Sequence, residues 1–349
     1  MKKILATLIA LALSVPQFAT AFDQLERFVA IVPDDPQNAL AFTYVAPRDG
    51  FLSDKPTLYG VEDTTLLTAL IGAEGTDVTT GIAFSQVTGV LSTGVPPRQL
   101  TVLFGQPGFL DASETTLLAR GFTRSEIAGL PILSKGEDYA LDLASASDPL
   151  GGGMGKAQRL ALDNDFLLRS AGWPEMRMAL ENLETPPAMT ELWRATITGL
   201  RQASGESWLD VAIGWNAVGF LDVGDPADFL LDPTAIKNPG KKTDEEPLPV
   251  FPHAVIALTE DSDNAAVRIA LPFATEDQAK QAGSVIADRL SANPIMATGQ
   301  ANIAVEPVAA YFIAVITIEA ESLPDAAKSF TAQNNAVLQR NYDILRLSL

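Results

Sequence analysis

The stretch from Lys156 to Leu183 limits the fold more than any other. Two apolar segments, Arg159 to Leu162 and Phe166 to Ser170, flank the polar triplet Asp163-Asn164-Asp165. Beyond Gly172 the apolar spacing turns helical, with Met176, Leu180 and Leu183 on one face. A period of two that changes to one near 3.6 specifies a β-hairpin running into a helix. The same order returns further along: Ala254 to Leu258 and Ala265 to Leu271 flank Thr259 through Asn264, and a helix from Thr275 to Leu290 follows. Each apolar strand face and helix stripe needs a cover, and an antiparallel sheet with helices on one face supplies it economically. The expected fold class is therefore α+β: two related antiparallel-sheet domains with helices packed on one face, in a ferredoxin-like or split β-α-β layout.

Outside these two units the chain offers further local signals. Leu25, Phe28, Val29 and Val32 are at helical spacing before the breaker Pro33-Asp34-Asp35-Pro36, and Ala39 to Val45 has strand composition. Glu62 to Ile71 is expected to be a helix ended by Gly72. Val87 to Leu91 and Gln99 to Phe104 are expected strands, followed by a helix that Asp111 and Glu114 would cap reciprocally, with Gly121 just past its end and a strand around Pro131 to Ser134. After Pro186-Pro187 a helix carries Leu192, Trp193, Ile197 and Leu200, and Trp208 to Ile213 and Ala217 to Val223 are expected strands. Ile303 to Ala320 supplies one or two strands with a break at Pro307, and Ser322 with Pro324 opens a last helix. These signals divide the chain into residues 1–21, a first domain at 22–204 and a second at 205–349, with the boundary near Ser204-Gly205. A mobile Pro-, Lys- and Glu-rich loop is expected at about 232–252.

The first residues carry an address. Lys2 and Lys3, the apolar run Ile4 to Val15 and the small-x-small triplet Ala19-Thr20-Ala21 form the pattern of a secretory signal peptide cut before Phe22. Neither that run nor Pro307 to Ala320 is long enough for a membrane span. The chain has no cysteine, so no lipid anchor, disulfide or thiolate chemistry is expected. A periplasmic protein is the expectation, with an extracellular one as the alternative. Lys and Arg number 24 against 43 Asp and Glu, a net charge of −19, and losing Lys2 and Lys3 with the leader makes it more negative still. Such a surface repels nucleic acid and anionic lipid.

Candidate chemistry is sparse. His253 is the sole histidine and no Gly-x-Ser-x-Gly elbow accompanies it, so a serine triad has little to build on, and zinc lacks nitrogen and sulfur ligands. Gly151 to Lys156 departs from a phosphate-binding loop, with Leu150 where its first glycine is required and Ala157 where a Ser or Thr is. Asp163 and Asp165, and likewise Asp261 and Asp263, offer hard oxygens suited to calcium, although Asp and Asn are also what tight turns prefer. Trp173, Trp215 and His253 are the candidate ligand-binding residues, aromatic groups at strand or helix positions that would otherwise be core. No cofactor is implied. The expected function is a non-catalytic exported binding or interaction protein, its partner a periplasmic protein or a small ligand. The alternatives are a carboxylate-based hydrolase of a glycan or peptide, and a carrier of an apolar ligand.

Overall fold

The computed structural model describes residues 20–35, 38–51, 77–145, 148–151, 155–220, 247–262, 264–292, 301–339 and 342–347. Residues 1–19 of the leader, the expected helix at Glu62 to Ile71, the expected loop up to residue 246 and Asp263 lie outside the described residues.

Six α-helices are described: α1 (Ala21–Phe28), α2 (Ser113–Ala119), α3 (Trp173–Glu184), α4 (Ala188–Ser204), α5 (Glu276–Ser291) and α6 (Leu323–Leu338). The described strands are β1 (Leu40–Val45), β2 (Val87–Thr93), β3 (Leu100–Gly105), β4 (Thr123–Ile127), β5 (Leu130–Lys135), β6 (Gln158–Leu162), β7 (Phe166–Ser170), β8 (Trp208–Asn216), β9 (His253–Glu260), β10 (Ala265–Phe273), β11 (Ala301–Val308) and β12 (Tyr311–Ala320). All twelve join one antiparallel sheet in the order β11-β12-β10-β9-β8-β1-β2-β3-β7-β6-β5-β4.

Helices cover both faces of this sheet, which corrects the expectation of helices on one face. Leu25 and Phe28 of α1, Met176 and Leu180 of α3, and Trp193 and Leu200 of α4 share one core with Phe42, Phe104 and Val255. Leu117 of α2, Ile286 of α5 and Phe330 of α6 share the other with Ile256, Leu258 and Ile269. The reason is visible in β9 and β10: Ala254 to Leu258 and Ala265 to Leu271 are apolar at almost every position, so both pleat faces demand burial.

The two halves meet at the antiparallel β1–β8 pair. Reading outward from that seam, the order is β1-β2-β3-β7-β6 on one side and β8-β9-β10-β12-β11 on the other. On each side a three-strand meander is followed by a helix, α2 or α5, and then by a hairpin whose second strand lies next to the meander. The hairpin β6–β7 thus occupies the place of β11–β12, not that of β9–β10, so the sequence match between hairpins joined elements of different position. The β4–β5 hairpin is an addition outside β6. Helices α1 and α4, which precede β1 and β8, touch each other, with Arg201 Nη1 2.7 Å from Asp23 Oδ1. The correspondence stops at α3 and α6, which cover opposite faces.

Several local expectations need correction. Asp111 does not cap α2: the helix starts two residues later with Ala112 as its uncapped N-cap, and Glu114 pairs instead with Arg124 at 2.6 Å. The break between β11 and β12 falls at Ala309, with φ of 52°, rather than at Pro307, which stays within the edge strand β11. Ala217 to Phe220 is a short 3₁₀ turn.

The seam carries two unusual residues. Gly214 of β8 lies opposite Phe42 of β1, and a Cβ there would overlap the phenyl ring. Asp210, in a β-bulge of β8 between Leu209 and Val211, is 2% exposed. Its Oδ1 accepts from the Arg48 amide at 3.0 Å while Oδ2 has no partner among the described residues. Burial, and behind it the charge of Glu260, push the Asp210 carboxyl up to about 7 from the ordinary 3.8. Because the folded state holds the proton more tightly, the ionisation cost is absent below the unfolded pKa and complete above the folded one, so stability falls by about 4 kcal/mol between those limits. Asp210→Asn is expected to raise the unfolding midpoint at pH 8 and leave it unchanged at pH 3.5; an equal gain at both would show that charge is not the cause. Gly214→Val should destabilise by about 2 kcal/mol or more, read from denaturant midpoints, as the Phe42 ring is driven off β8.

Candidate functional site

One end of the seam opens into a cleft of about 250 Å³. It is framed by Leu40 and Ala41 at the start of β1, Asn216 at the end of β8, Val95 and Arg98 in the β2–β3 connection, and Glu175 and Met178 on α3. Pro33, Asp35 and Asn38, ahead of β1, complete the wall. That approach segment is pinned to β8: the Asn216 side-chain amide donates to the Asp35 carbonyl at 3.1 Å and the Asn38 carbonyl at 2.8 Å, and its backbone amide to Ala39 at 2.8 Å.

Glu175 is the buried charge of the cleft, its side chain 9% exposed. It is the third residue of α3, where the unpaired amides of the first turn favour a negative charge. The Tyr139 hydroxyl donates to its Oε2 at 2.7 Å. Burial, then the adjacent Glu175 carboxylate, raise that phenol to about 12, so it remains a donor throughout the physiological range. The other oxygen, Oε1, faces Arg98, whose Nε stands 3.8 Å away on a side chain that is 78% exposed. A pair of that length with one partner in water is weak.

The start of α3 is held by a buried network. Arg159 donates through Nη1 to the carbonyls of Lys135 at 3.1 Å and Gln158 at 2.9 Å, and through Nη2 to Gly136 at 3.0 Å and Asp138 Oδ1 at 2.6 Å. Asp138 Oδ1 also accepts from the Trp173 amide at 3.3 Å, and the Arg159 guanidinium lies 5.2 Å from the Trp173 ring centre. Gly172 is required here by close approach, since a Cβ would stand 2.5 Å from the Tyr139 ring and 2.6 Å from Glu175 Oε2. Tyr139 itself has φ of 60°, a conformation that bulky residues rarely adopt, and its amide is tied to the Ala171 carbonyl at 3.1 Å. The strain therefore sits beside the one buried carboxylate of the cleft.

The residues singled out from sequence are dispersed. Trp173 belongs to the scaffold at the start of α3 and is not among the residues framing the cleft. Trp215 is 2% exposed in the core of the α5 and α6 face, its indole N–H without a partner. His253 is fully buried on the opposite face, stacked on Trp193 with centroids 3.6 Å apart. Thr196 gives its hydroxyl proton to the Leu192 carbonyl at 2.9 Å, so the 2.8 Å contact to His253 makes Nε2 the donor and leaves the Nδ1 lone pair buried without a partner. Asp163 and Asp165 flank a turn and face Arg27, at 4.0 and 2.8 Å. Asp261 Oδ1 accepts from the Asn264 amide at 2.8 Å in the β9–β10 turn, and its amide donates to the Asn264 carbonyl at 2.9 Å. Among the described residues no group of three or more His, Cys, Asp or Glu has the arrangement of a metal site.

No protein-family model matches the sequence, and no curated protein matches it. Among solved structures the chain is similar to crystal form III of TP0453, at 12% identity and a TM-score of 0.37, covering 87% of this chain and 97% of that one. Crystal form IV of TP0453 is similar at 13% identity and a TM-score of 0.37, covering 87% and 96%. Likeness at that level is too slight to carry over any property.

Glu175, Arg98, Met178 and Asn216 escaped the sequence reading. Glu175 has the ordinary place of an acid in a first helical turn, and Arg98 that of a loop charge. The one available signal is that Glu175 adjoins Met176, which heads the buried face of α3.

Burial lowers His253 to about 3 from 6.5. The unfolded chain takes up the proton first, so the stability contributed by neutral His253 is complete above the unfolded pKa and is lost, by roughly 5 kcal/mol, as pH falls to the folded value. Asp210 works in the opposite direction across much of the same range. His253→Phe, which keeps the stack on Trp193, is therefore expected to lose less of its unfolding midpoint than the native chain between pH 7 and pH 4; an unchanged acid limb would overturn this.

Proposed function

We propose that this chain is an exported, non-catalytic binding protein that holds a small, mostly apolar ligand in the cleft at the end of the β1–β8 seam. The observation that carries the reading is the cleft itself: an apolar lining with a single buried carboxylate held by the Tyr139 hydroxyl. Small-ligand sites have this composition, apolar walls with a few placed polar groups, although about 250 Å³ lies just under their usual range of roughly 300 to 1,000 Å³. A compact ligand follows. Among the described residues framing the cleft there is no serine, threonine, lysine or histidine, and its carboxylates are Glu175 and Asp35. The hydrolase alternative drew on Asp163 and Asp165, which face Arg27 in a turn.

Export rests on the Lys2-Lys3 start, the apolar run and Ala19-Thr20-Ala21. Cleavage after Ala21 would remove Thr20, which caps α1 through Asp23, but the pairing of Asp23 with Arg201 would survive it. We read the two halves as related units. Because α4 precedes β8 as α1 precedes β1, and packs on β10, β11 and β12, the division suits Pro186-Pro187 better than Ser204-Gly205.

Thermal unfolding against short alcohols and amines tests the binding reading, since a ligand of the native state raises the midpoint by mass action. A shift of a few degrees is expected for the native chain, and Met178→Trp, which fills the cleft, should abolish it while remaining folded. A shift that survives Met178→Trp would put the ligand elsewhere.

A further inference from the structure

Granting that this cleft is the binding site, the geometry points to a ligand whose apolar body ends in a protonated amine, with Glu175 as the group that selects it. Glu175 Oε2 is satisfied by Tyr139, but Oε1 has no hydrogen-bond donor among the described residues. Its nearest cation, Arg98 Nε, stands at 3.8 Å, beyond hydrogen-bond length, and the Arg98 side chain is mostly in water. A carboxylate that is nine-tenths buried yet lacks a direct donor on one oxygen gains most from a compact ammonium, which can approach closely and donate a charge-assisted hydrogen bond. An anionic ligand would meet two carboxylates, Glu175 and Asp35, against the single cation Arg98. A neutral hydroxyl could donate to Oε1 but brings no opposite charge to it.

The apolar wall of Leu40, Ala41, Val95 and Met178 suits a short alkyl chain behind that ammonium. Arg98 then acts as a loosely held substitute cation, displaced when the ligand amine arrives. The overall charge of −19 draws cations toward the surface and disfavours anions before they reach the cleft. Glu175 is rigidly presented for this role, since the Arg159, Asp138 and Trp173 network holds the first turn of α3 and Tyr139 holds the carboxylate.

Calorimetric titration of the full mature chain at pH 7.5 with hexylammonium, hexanol and hexanoate tests this. Hexylammonium is expected to bind about tenfold more tightly than hexanol, with hexanoate weakest. Glu175→Gln should erase the preference for hexylammonium over hexanol, and a cooperative unfolding transition in that variant separates selection from a folding defect. Arg98→Ala should strengthen hexylammonium binding by removing the competing cation. Equal affinity for hexylammonium and hexanol, or hexanoate binding most tightly, overturns the amine inference and leaves the apolar cleft standing. Binding of none of the three overturns both.

Discussion

The antiparallel pairing of β1 with β8 is the constraint on which the rest of the structure depends. It joins strands that lie about 170 residues apart in sequence, Thr43 opposite Ile213 and Val45 opposite Val211, and so makes one sheet out of two halves. Closing so long a loop costs entropy that the contact must exceed. The seam does so by burying both faces: Phe42 packs over Gly214 and against Trp193 on one side, while Val45, Val211 and Ile213 enter the core on the other. The cleft follows directly, because it is formed where β1 begins and β8 ends.

Polar groups in this interior have two different consequences. Arg159 is almost wholly buried; both terminal nitrogens have acceptors while Nε has none among the described residues, and its partners fix the first turn of α3. Removing one side of such a network strands the other, so Arg159 acts as a positioning residue for Glu175. Asp210 and His253 are buried with one atom each unpartnered, and neither lines the cleft. Their burial makes stability respond to pH in opposite senses at the two groups.

The legible parts were local. The hairpin β6–β7 and the helix after it stand where periodicity put them, and Thr275 and Ser322 cap α5 and α6 through the amides of Gln278 and Asp325. Asp111 is not the cap although its spacing to Glu114 was right: the helix begins at Ser113, and the Asp111 amide is bonded to the Gly108 carbonyl. Pro307 did not break the strand, since at a sheet edge its missing N–H faces no partner. Of the proposed site residues, Trp173 belongs to the scaffold at the start of α3 and is not among the residues framing the cleft, whereas Trp215 and His253 are core residues on opposite sheet faces. Glu175 and Arg98 went unnoticed, as each is unremarkable until β3, β7 and α3 bring them together.

By itself the sequence determined the kinds of element, their order and many of their ends, because periodicity, turn residues and capping act between neighbours a few positions apart. It also determined the acidic balance and the lack of cysteine, which limit the chemistry open to the chain. Tertiary structure alone decided that the halves share one sheet, that helices cover both of its faces, and that a buried carboxylate stands in an apolar cleft. Those outcomes depend on register between strands far apart in the chain, and on which long-range contacts outweigh the entropy of closing the loops between them. No local pattern encodes that balance.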